Sequence, residues 1–489
     1  MTNFDLLSLP LLLGSSCYLL SYLNPKKYAL VSTFSIFLSF IACLFSAFTS
    51  SGDLHLNYSF ALLTLFMSLI ISKYSIKYLS GERNQKLYYF YLNLLTFCLV
   101  EMISSTSIYS LSTFFILSNL LFSKLMMHKK SWRAAREGAY YFIKISIVSF
   151  LCMITASIIL TSRIGTHNIS EIIDKASIVS QINLTIILLL ISTACLIQSG
   201  VWPMHKWVLS SLNSITPVTA FMHAGLITGG GIIILRLYKL FLYSPVILET
   251  LFIFGSLSLI IGTLLKLSQN SLKKALASST VAQMGFMFMQ IGLGLPFAAF
   301  LHIIFHSLFK GFLFINSPSQ INEKIVKKTN PITPISLTFA VIASIINTFL
   351  FQLTSTISID FTNTASLLLV FVFITCLQIS LKIIKTNYLV TSFTLAIVIT
   401  GLLGVLYGSS IHYLESFSPL FQGIQGLPIT FLHIFVIIAI AMLSLLINLK
   451  TFEKSNFFKK IYPRLYVLTI NQGLSKSNTT NVVRTEYQN

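Results

Sequence analysis

The sequence predicts an all-α polytopic membrane protein of about fifteen transmembrane helices. Three observations carry that reading. Hydrophobic residues make up 55% of the 489 and charged residues 9%, with a mean hydropathy of +0.83, whereas soluble domains are roughly 25% charged. Apolar runs long enough to cross a bilayer, about 20 residues each, recur along the whole chain. Lysine and arginine gather in alternate connections, as in membrane proteins of fixed orientation.

The first apolar run, near 6–22, follows Asp5 and has neither a basic leader nor a clear small-residue cleavage site, so it reads as a retained span. Further spans are predicted near 28–50, 58–80, 87–106, 108–127, 139–161, 182–202, 215–238, 243–265, 273–293, 295–316, 333–354, 365–384, 386–407 and 429–450, about 20 residues each.

Positive connections follow the odd-numbered spans: Lys26 and Lys27; Lys77, Arg83 and Lys86; Lys129, Lys130, Arg133 and Arg136; Lys206; Lys273 and Lys274; Lys324, Lys327 and Lys328; Lys382 and Lys385. Those after even spans are bare or acidic, with Asp53, Asp360 and Glu415, apart from Arg236 and Lys239. The pattern predicts a plasma (cell inner) membrane protein with its amino terminus outside and its carboxyl terminus in the cytoplasm.

Ser170 to Ser180 (SEIIDKASIVS) reads as a short amphipathic segment on the membrane surface. The division expected is a transmembrane region over 1–450, with core motifs at 60–320, and a basic cytoplasmic tail over 451–489. The tail's polar end reads as disordered or partner-bound. No connection is long enough for a soluble catalytic domain.

A net charge of +20 fits orientation and anionic lipid better than nucleic acid, because no basic groove or aromatic platform accompanies it. Cys17, Cys43, Cys98, Cys152, Cys195 and Cys376 stand singly in apolar runs, which predicts packing residues rather than disulfides or metal ligands. The chain carries no phosphate loop, no Cys/His metal set and no nucleophile motif, so a transporter rather than an enzyme is expected, with no cofactor of its own.

The stretch 190–240 joins two apolar runs across a polar interruption with Pro203, His205, Lys206, Trp207 and Pro217; His223 and the glycines 229–231 follow. A broken helix is tolerated in a bilayer only where protein or a water-filled cavity satisfies the freed backbone groups. Intramembrane ionisable residues are costly and point to function. His223 alone reads equally well as a core histidine, but its place after Thr216-Pro217 and before the glycines favours a role.

In FLHIIFHSLFKGFLF, His302, His306 and Lys310 recur every four residues and so share one stripe of a helix. Histidine titrates near physiological pH and burial tunes a lysine, so the stripe predicts a proton relay. The plainer alternative has the histidines filling polar gaps and the lysine snorkelling to an interface. Glu101 is the carboxylate deep inside a predicted span, and Lys124 in the next span is its candidate partner, either switchable or static. Lys266, Lys273 and Lys274 read as loop charges.

Four strings in order, SGVWPMHKW, SITPVTAFMHAGLITGGG, LKKALASSTVAQMGFMFMQIG and AFLHIIFHSLFKGFLF, resemble the antiporter-like membrane subunits of respiratory complex I and Mrp-type cation/proton antiporters. The resemblance covers roughly 60–320 and implies inverted repeats with broken helices around a chain of protonatable side chains. It places His223, His302, His306 and Lys310 on proton-pathway positions, and Gln198, Pro203, His205 and Pro217 around the broken helix. Where complex I members carry a glutamate in the fifth span and a lysine in the seventh, the resemblance puts Ile116 or a neighbour, and Gln198. The long lateral helix of the largest complex I subunit has no counterpart.

The basic link HKKSWRAARE resembles a shorter branch, DabB, the membrane subunits of two-component inorganic-carbon uptake systems. That resemblance implies a large DabA-like partner on the cytoplasmic side, with zinc in that partner, and cation flow, proton or sodium, driving CO2 hydration to bicarbonate there. The alternatives are a proton-pumping subunit of a respiratory NADH-quinone oxidoreductase or membrane hydrogenase, and a stand-alone cation/proton antiporter.

Overall fold

The structure is a computed structural model that describes residues 3–19, 24–49, 54–129, 131–317, 333–355, 357, 360, 362–384, 388–417, 426–448 and 467–473. Most of the expected tail, and Asp53, Lys130, Lys324, Lys327, Lys328 and Lys385, lie outside the described residues.

Among the described residues, fifteen longer helical segments follow the predicted order. They are α1 (Asn3–Ser16), α2 (Pro25–Thr49), α3 (Leu54–Tyr78), α4 (Gln85–Ser104) and α5 (Ile108–Met126). Next come α6 (Arg133–Ile164), α7 (Gln181–Gln198), α8 (Thr216–Arg236), α9 (Pro245–Leu267) and α10 (Leu272–Gly292). The last are α11 (Pro296–Asn316), α12 (Pro334–Ser355), α13 (Leu367–Ile383), α14 (Leu389–Phe417) and α15 (Phe431–Asn448).

Twelve of the helices are long and apolar enough to cross a membrane. Leu7–Leu19 and Phe431–Leu446 are shorter apolar stretches. The remaining helix, α10, carries Lys273, Lys274, Gln283 and Gln290. Helix α6 starts earlier than the apolar run suggests, because the link residues Arg133, Ala134, Ala135 and Arg136 are strong helix formers and make its first turn.

The described residues fall into two units. The first comprises 1–289, 302–321 and 469–489. Polar side chains join its helices, as expected where lipid offers no hydrophobic drive to association. Ser32 donates to Asn93 Oδ1 at 2.9 Å and Asn93 donates to Ser35 at 3.1 Å, tying α2 to α4. Ser149 of α6 donates to the Ala194 carbonyl of α7 at 2.8 Å.

The segment expected to be amphipathic is a short helix, Ile169–Asp174, followed by a 3-10 turn, Ala176–Ile178. Asn168 caps it by accepting from Ser170 N at 3.0 Å. Ile169, Ile172 and Ala176 are buried while Glu171 and Lys175 are exposed. Its backbone pairs with the α4–α5 connection through Ile169 N to Thr106 O at 2.8 Å and Ile108 N to His167 O at 3.0 Å.

The second unit comprises 290–301 and 322–468. Its core joins α12, α13 and α14 around Ala340, Leu377, Ile384 and Ala396. Asn347 of α12 donates to Thr400 of α14, and Gln378 of α13 donates to Ser444 of α15 at 2.7 Å. The Thr364 hydroxyl donates to Leu293 O at 2.5 Å, and Thr364 N donates to Leu427 O at 2.8 Å.

Candidate functional site

Helix α8 is interrupted, but not at its proline. Pro217 sits in the first turn, where a missing N–H costs nothing and the fixed φ helps helix initiation. The interruption is a π-helical turn, Met222–Leu226, that contains His223. Such turns displace the backbone register and recur at functional sites. Regular helix resumes at Gly229. Gly230 is required there, because a β-carbon would collide with the Cys195 carbonyl and the Ser199 hydroxyl of α7.

The polar interruption before α8 folds into a turn, a short helix, Lys206–Ser210, and a 3-10 turn, Ser211–Asn213. Trp207 anchors it: the indole is fully buried, donates to the Ile197 carbonyl at 2.9 Å and packs on Phe142. Pro203 lies in the turn after α7. His205 is buried, with Nε2 3.1 Å from the Gln472 carbonyl. Burial pushes this imidazole below its ordinary value, the Gln472 hydrogen bond opposing and Lys206 adding to the shift.

On α11, His302, His306 and Lys310 form the expected file. The rings of His302 and His306 lie 6.0 Å apart, nearly parallel at 18°. Lys310 is 1% exposed and its ammonium donates to the Leu276 carbonyl of α10 at 3.0 Å and to the Ser279 hydroxyl. His223 is fully buried and stacks flat on Phe314 of α11, centroids 4.0 Å apart. Gly311, next to Lys310, lets α11 approach Met67 of α3 and Ala224 of the π turn.

Among the described residues, both ring nitrogens of His223 and of His306, and Nε2 of His302, have no hydrogen-bond partner. An unpaired buried polar group costs about 1–3 kcal/mol. Such groups in a folded interior call for a functional explanation or bridging water.

Gln198 closes α7 and does what the sequence did not disclose. Its amide exchanges two hydrogen bonds with Asn119 of α5, Asn119 Nδ2 to Gln198 Oε1 at 2.8 Å and Gln198 Nε2 to Asn119 Oδ1 at 3.0 Å. Gln198 Nε2 also reaches the carbonyl of Leu226, the last residue of the π turn, at 3.2 Å. The residue meeting Gln198 is thus Asn119, one turn beyond Ile116. Its signal was an asparagine inside the apolar string FFILSNLLF.

Two cations read as connection charges are also internal contacts. Arg236 is buried and donates to the Met102 and Ser105 carbonyls at 2.9 and 2.5 Å. It thereby satisfies the carboxyl end of α4, where unpaired carbonyls and the helix dipole favour a cation, which explains its exception to the alternating loop charges. Lys273 donates to the Thr216 hydroxyl, at the start of α8, at 3.1 Å.

Glu101 and Lys124 are not brought together. Glu101 accepts from Ser8 at 2.5 Å, and Lys124 is exposed on α5. Ion pairs among the described residues include Glu82 with Lys129 and Glu171 with Lys175, and His128 lies 3.8 Å from Glu82. No cluster of three or more His, Cys, Asp or Glu side chains suited to a metal occurs among the described residues.

Comparison with known proteins places this geometry. The probable inorganic carbon transporter subunit DabB1 of Halothiobacillus neapolitanus is 31% identical over 287 residues, 56% of this chain and 51% of that protein. A DabB of Bacillus anthracis is 32% identical over 290 residues, 57% of this chain and 56% of that protein. NADH-quinone oxidoreductase subunit L of Rickettsia typhi is 28% identical over 290 residues, 56% of this chain and 44% of that protein. The chain thus spans about half the length of the curated relatives it matches. A chain of the Mrp complex of Dietzia sp. DQ12-45-1b shares the fold with a TM-score of 0.65 at 19% identity, over 90% of this chain and 56% of that one. The family described as "NADH:quinone oxidoreductase/Mrp antiporter, TM" matches residues 105–356, just over half of the 489 and the part that holds the π turn, the amide pair and the histidine–lysine file. The chain belongs to the NADH:quinone oxidoreductase/Mrp antiporter membrane family.

Proposed function

We propose that this chain is the proton-conducting, energy-coupling membrane subunit of a two-component inorganic-carbon uptake system. Its partner is a large zinc protein of the DabA kind on the cytoplasmic side, where CO2 is hydrated to bicarbonate; zinc belongs to that partner. The observation that carries the reading is the file of His302, His306 and Lys310 on α11, set against His223 in the interrupted helix α8. Water bridging the unpaired imidazole nitrogens would complete a path between them. Imidazole and ammonium exchange protons and offer no oxygen cage to a sodium ion. The relatives named as inorganic carbon transporter subunits support the carbon-uptake side of the reading.

Coupling follows from Lys310. As an ammonium it holds α11 to the Leu276 carbonyl and Ser279 of α10 through charge-assisted hydrogen bonds. When the proton passes to His306 through water, the amine keeps weaker bonds, and α10–α11 packing loosens. Proton occupancy biases two arrangements of the helices, and a partner that binds one arrangement better draws on that bias. The alternating loop charges support a plasma membrane protein with its amino terminus outside and carboxyl terminus inside, with residues 1–450 in the membrane and 451–489 as a cytoplasmic tail.

The second reading, a proton pump in a respiratory or hydrogenase complex, draws on the NADH-quinone oxidoreductase relatives. The neutral Asn119–Gln198 pair weighs against it, since the resemblance to complex I members implies a glutamate and a lysine there. Affinity purification of the tagged chain from mild detergent, with mass spectrometry and metal analysis, decides. One large zinc protein at fixed ratio supports carbon uptake, and flavin or iron–sulfur subunits overturn it.

A further inference from the structure

Lys124, which pairs with no carboxylate, stands at one end of an open groove of about 350 Å³ between α4 and α5. The walls are apolar: Leu94 and Phe97 on α4, Leu117 and Phe114 on α5, with Leu117 39% exposed. Phe97 and Phe114 meet edge to face at 5.9 Å and close the far end. Tyr91 and Lys124 line the other end, near the start of α4 and in the last turn of α5. From Phe114 to Lys124 is ten helical positions, about 15 Å at 1.5 Å each, or half of a hydrocarbon core of about 30 Å. The groove therefore has the depth of one leaflet.

The charged surroundings of its open end are fixed by contacts. Glu82, before α4, pairs with Lys129 at 3.0 Å and with His128 at 3.8 Å, both just after α5, so the two connections lie together. One Glu82 oxygen is engaged by the Lys129 ammonium, and the other faces the His128 ring. Arg83, Lys86 and Arg133 lie in or beside the same connections. An ammonium without a hydrogen bond or ion pair among the described residues thus sits where an apolar slot meets a basic surface.

The geometry points to a binding site for one anionic phospholipid, an acyl chain in the α4–α5 groove and the headgroup phosphate on Lys124. A basic side chain at a membrane surface contributes about 1 kcal/mol toward anionic lipid, or about five-fold in affinity. The chain, purified with whatever subunit accompanies it, is delipidated and titrated with phosphatidylglycerol or phosphatidylcholine of matched acyl chains, and bound lipid is counted by native mass spectrometry. Phosphatidylglycerol is expected to bind about five-fold more tightly. Lys124→Gln removes that preference, and Leu117→Trp, which fills the groove and keeps the charge, weakens both lipids. The site is overturned if Lys124→Gln retains the preference, or if Lys26→Gln, a lysine at the start of α2, abolishes it to the same degree.

Discussion

The amides of Asn119 and Gln198 form a closed two-bond pair between α5 and α7, at 2.8 and 3.0 Å, and Gln198 extends it to the Leu226 carbonyl of the π turn. Three helices are thereby joined at one neutral polar point inside the membrane region. The pair holds the carbonyl that the irregular turn leaves over, a condition for tolerating an interrupted helix in lipid.

Removing one partner should therefore cost more than removing both. Asn119→Leu or Gln198→Leu leaves a buried amide unpaired and should destabilise the protein by about 1–3 kcal/mol, with a coupling energy of about 0.5–3 kcal/mol in the double-mutant cycle. Asn119→Glu alone should be worse, because it buries an unpaired carboxylate, and Gln198→Lys added to it should recover part of the loss. Thermal unfolding in detergent at fixed pH measures all of these variants.

Close packing of α8 on α7 gives a second prediction. Gly230→Ala places a methyl group into the Cys195 carbonyl, which the backbone of α7 fixes, and into the Ser199 hydroxyl just after that helix. Overpacking of this kind costs about 1–3 kcal/mol. Reduced folded yield and a lower unfolding temperature should follow, while Gly81→Ala, in a turn with open space, tests only the strain of a positive φ.

A pH dependence arises at the His205 turn. Because burial holds the folded imidazole below its ordinary value, the unfolded chain takes up the proton first. Stability is then unaffected above about pH 6.5 and falls as the pH drops from there toward the folded value. The unfolding temperature should decline as the pH falls below about 6.5, and His205→Gln should flatten part of that decline. An identical profile for the variant and the parent chain contradicts this assignment.

Trp207 is the anchor of the motif before α8, and its loss is the most severe structural change expected. Trp207→Ala opens a large cavity and frees the Ile197 carbonyl, at a cost of about 3–5 kcal/mol. Trp207→Phe keeps most of the packing and should recover over half of that cost, as measured by unfolding temperature and membrane yield.

The helices were legible because lipid demands long apolar runs, and those runs mark themselves. The file on α11 was legible for a related reason: His302, His306 and Lys310 share one helix, so the period of 3.6 puts them in line without tertiary information. Pairings between helices were not legible. Asn119 and Gln198 are 79 positions apart, and nothing local says that a lone asparagine meets a lone glutamine. Arg236 looked like a connection charge because it ends an apolar run, yet it turns inward to the end of α4. The interruption is expected from the sequence across the polar stretch from Pro203 to Pro217, whereas Pro217 stands where proline starts a helix and α8 itself is interrupted later, at the π turn. The π turn has no comparable marker beyond Gly225, two positions after His223.

The central claim is that protons moving along the α11 file energise carbon uptake, and Lys310 is its most direct test. Uptake of labelled inorganic carbon is measured in cells that carry the chain with its partner, comparing the parent with Lys310→Ala at matched membrane abundance, with and without a protonophore. Loss of a proton-transfer group should lower uptake by at least about ten-fold and leave the residue insensitive to the protonophore. Unchanged, protonophore-sensitive uptake in Lys310→Ala would contradict the account.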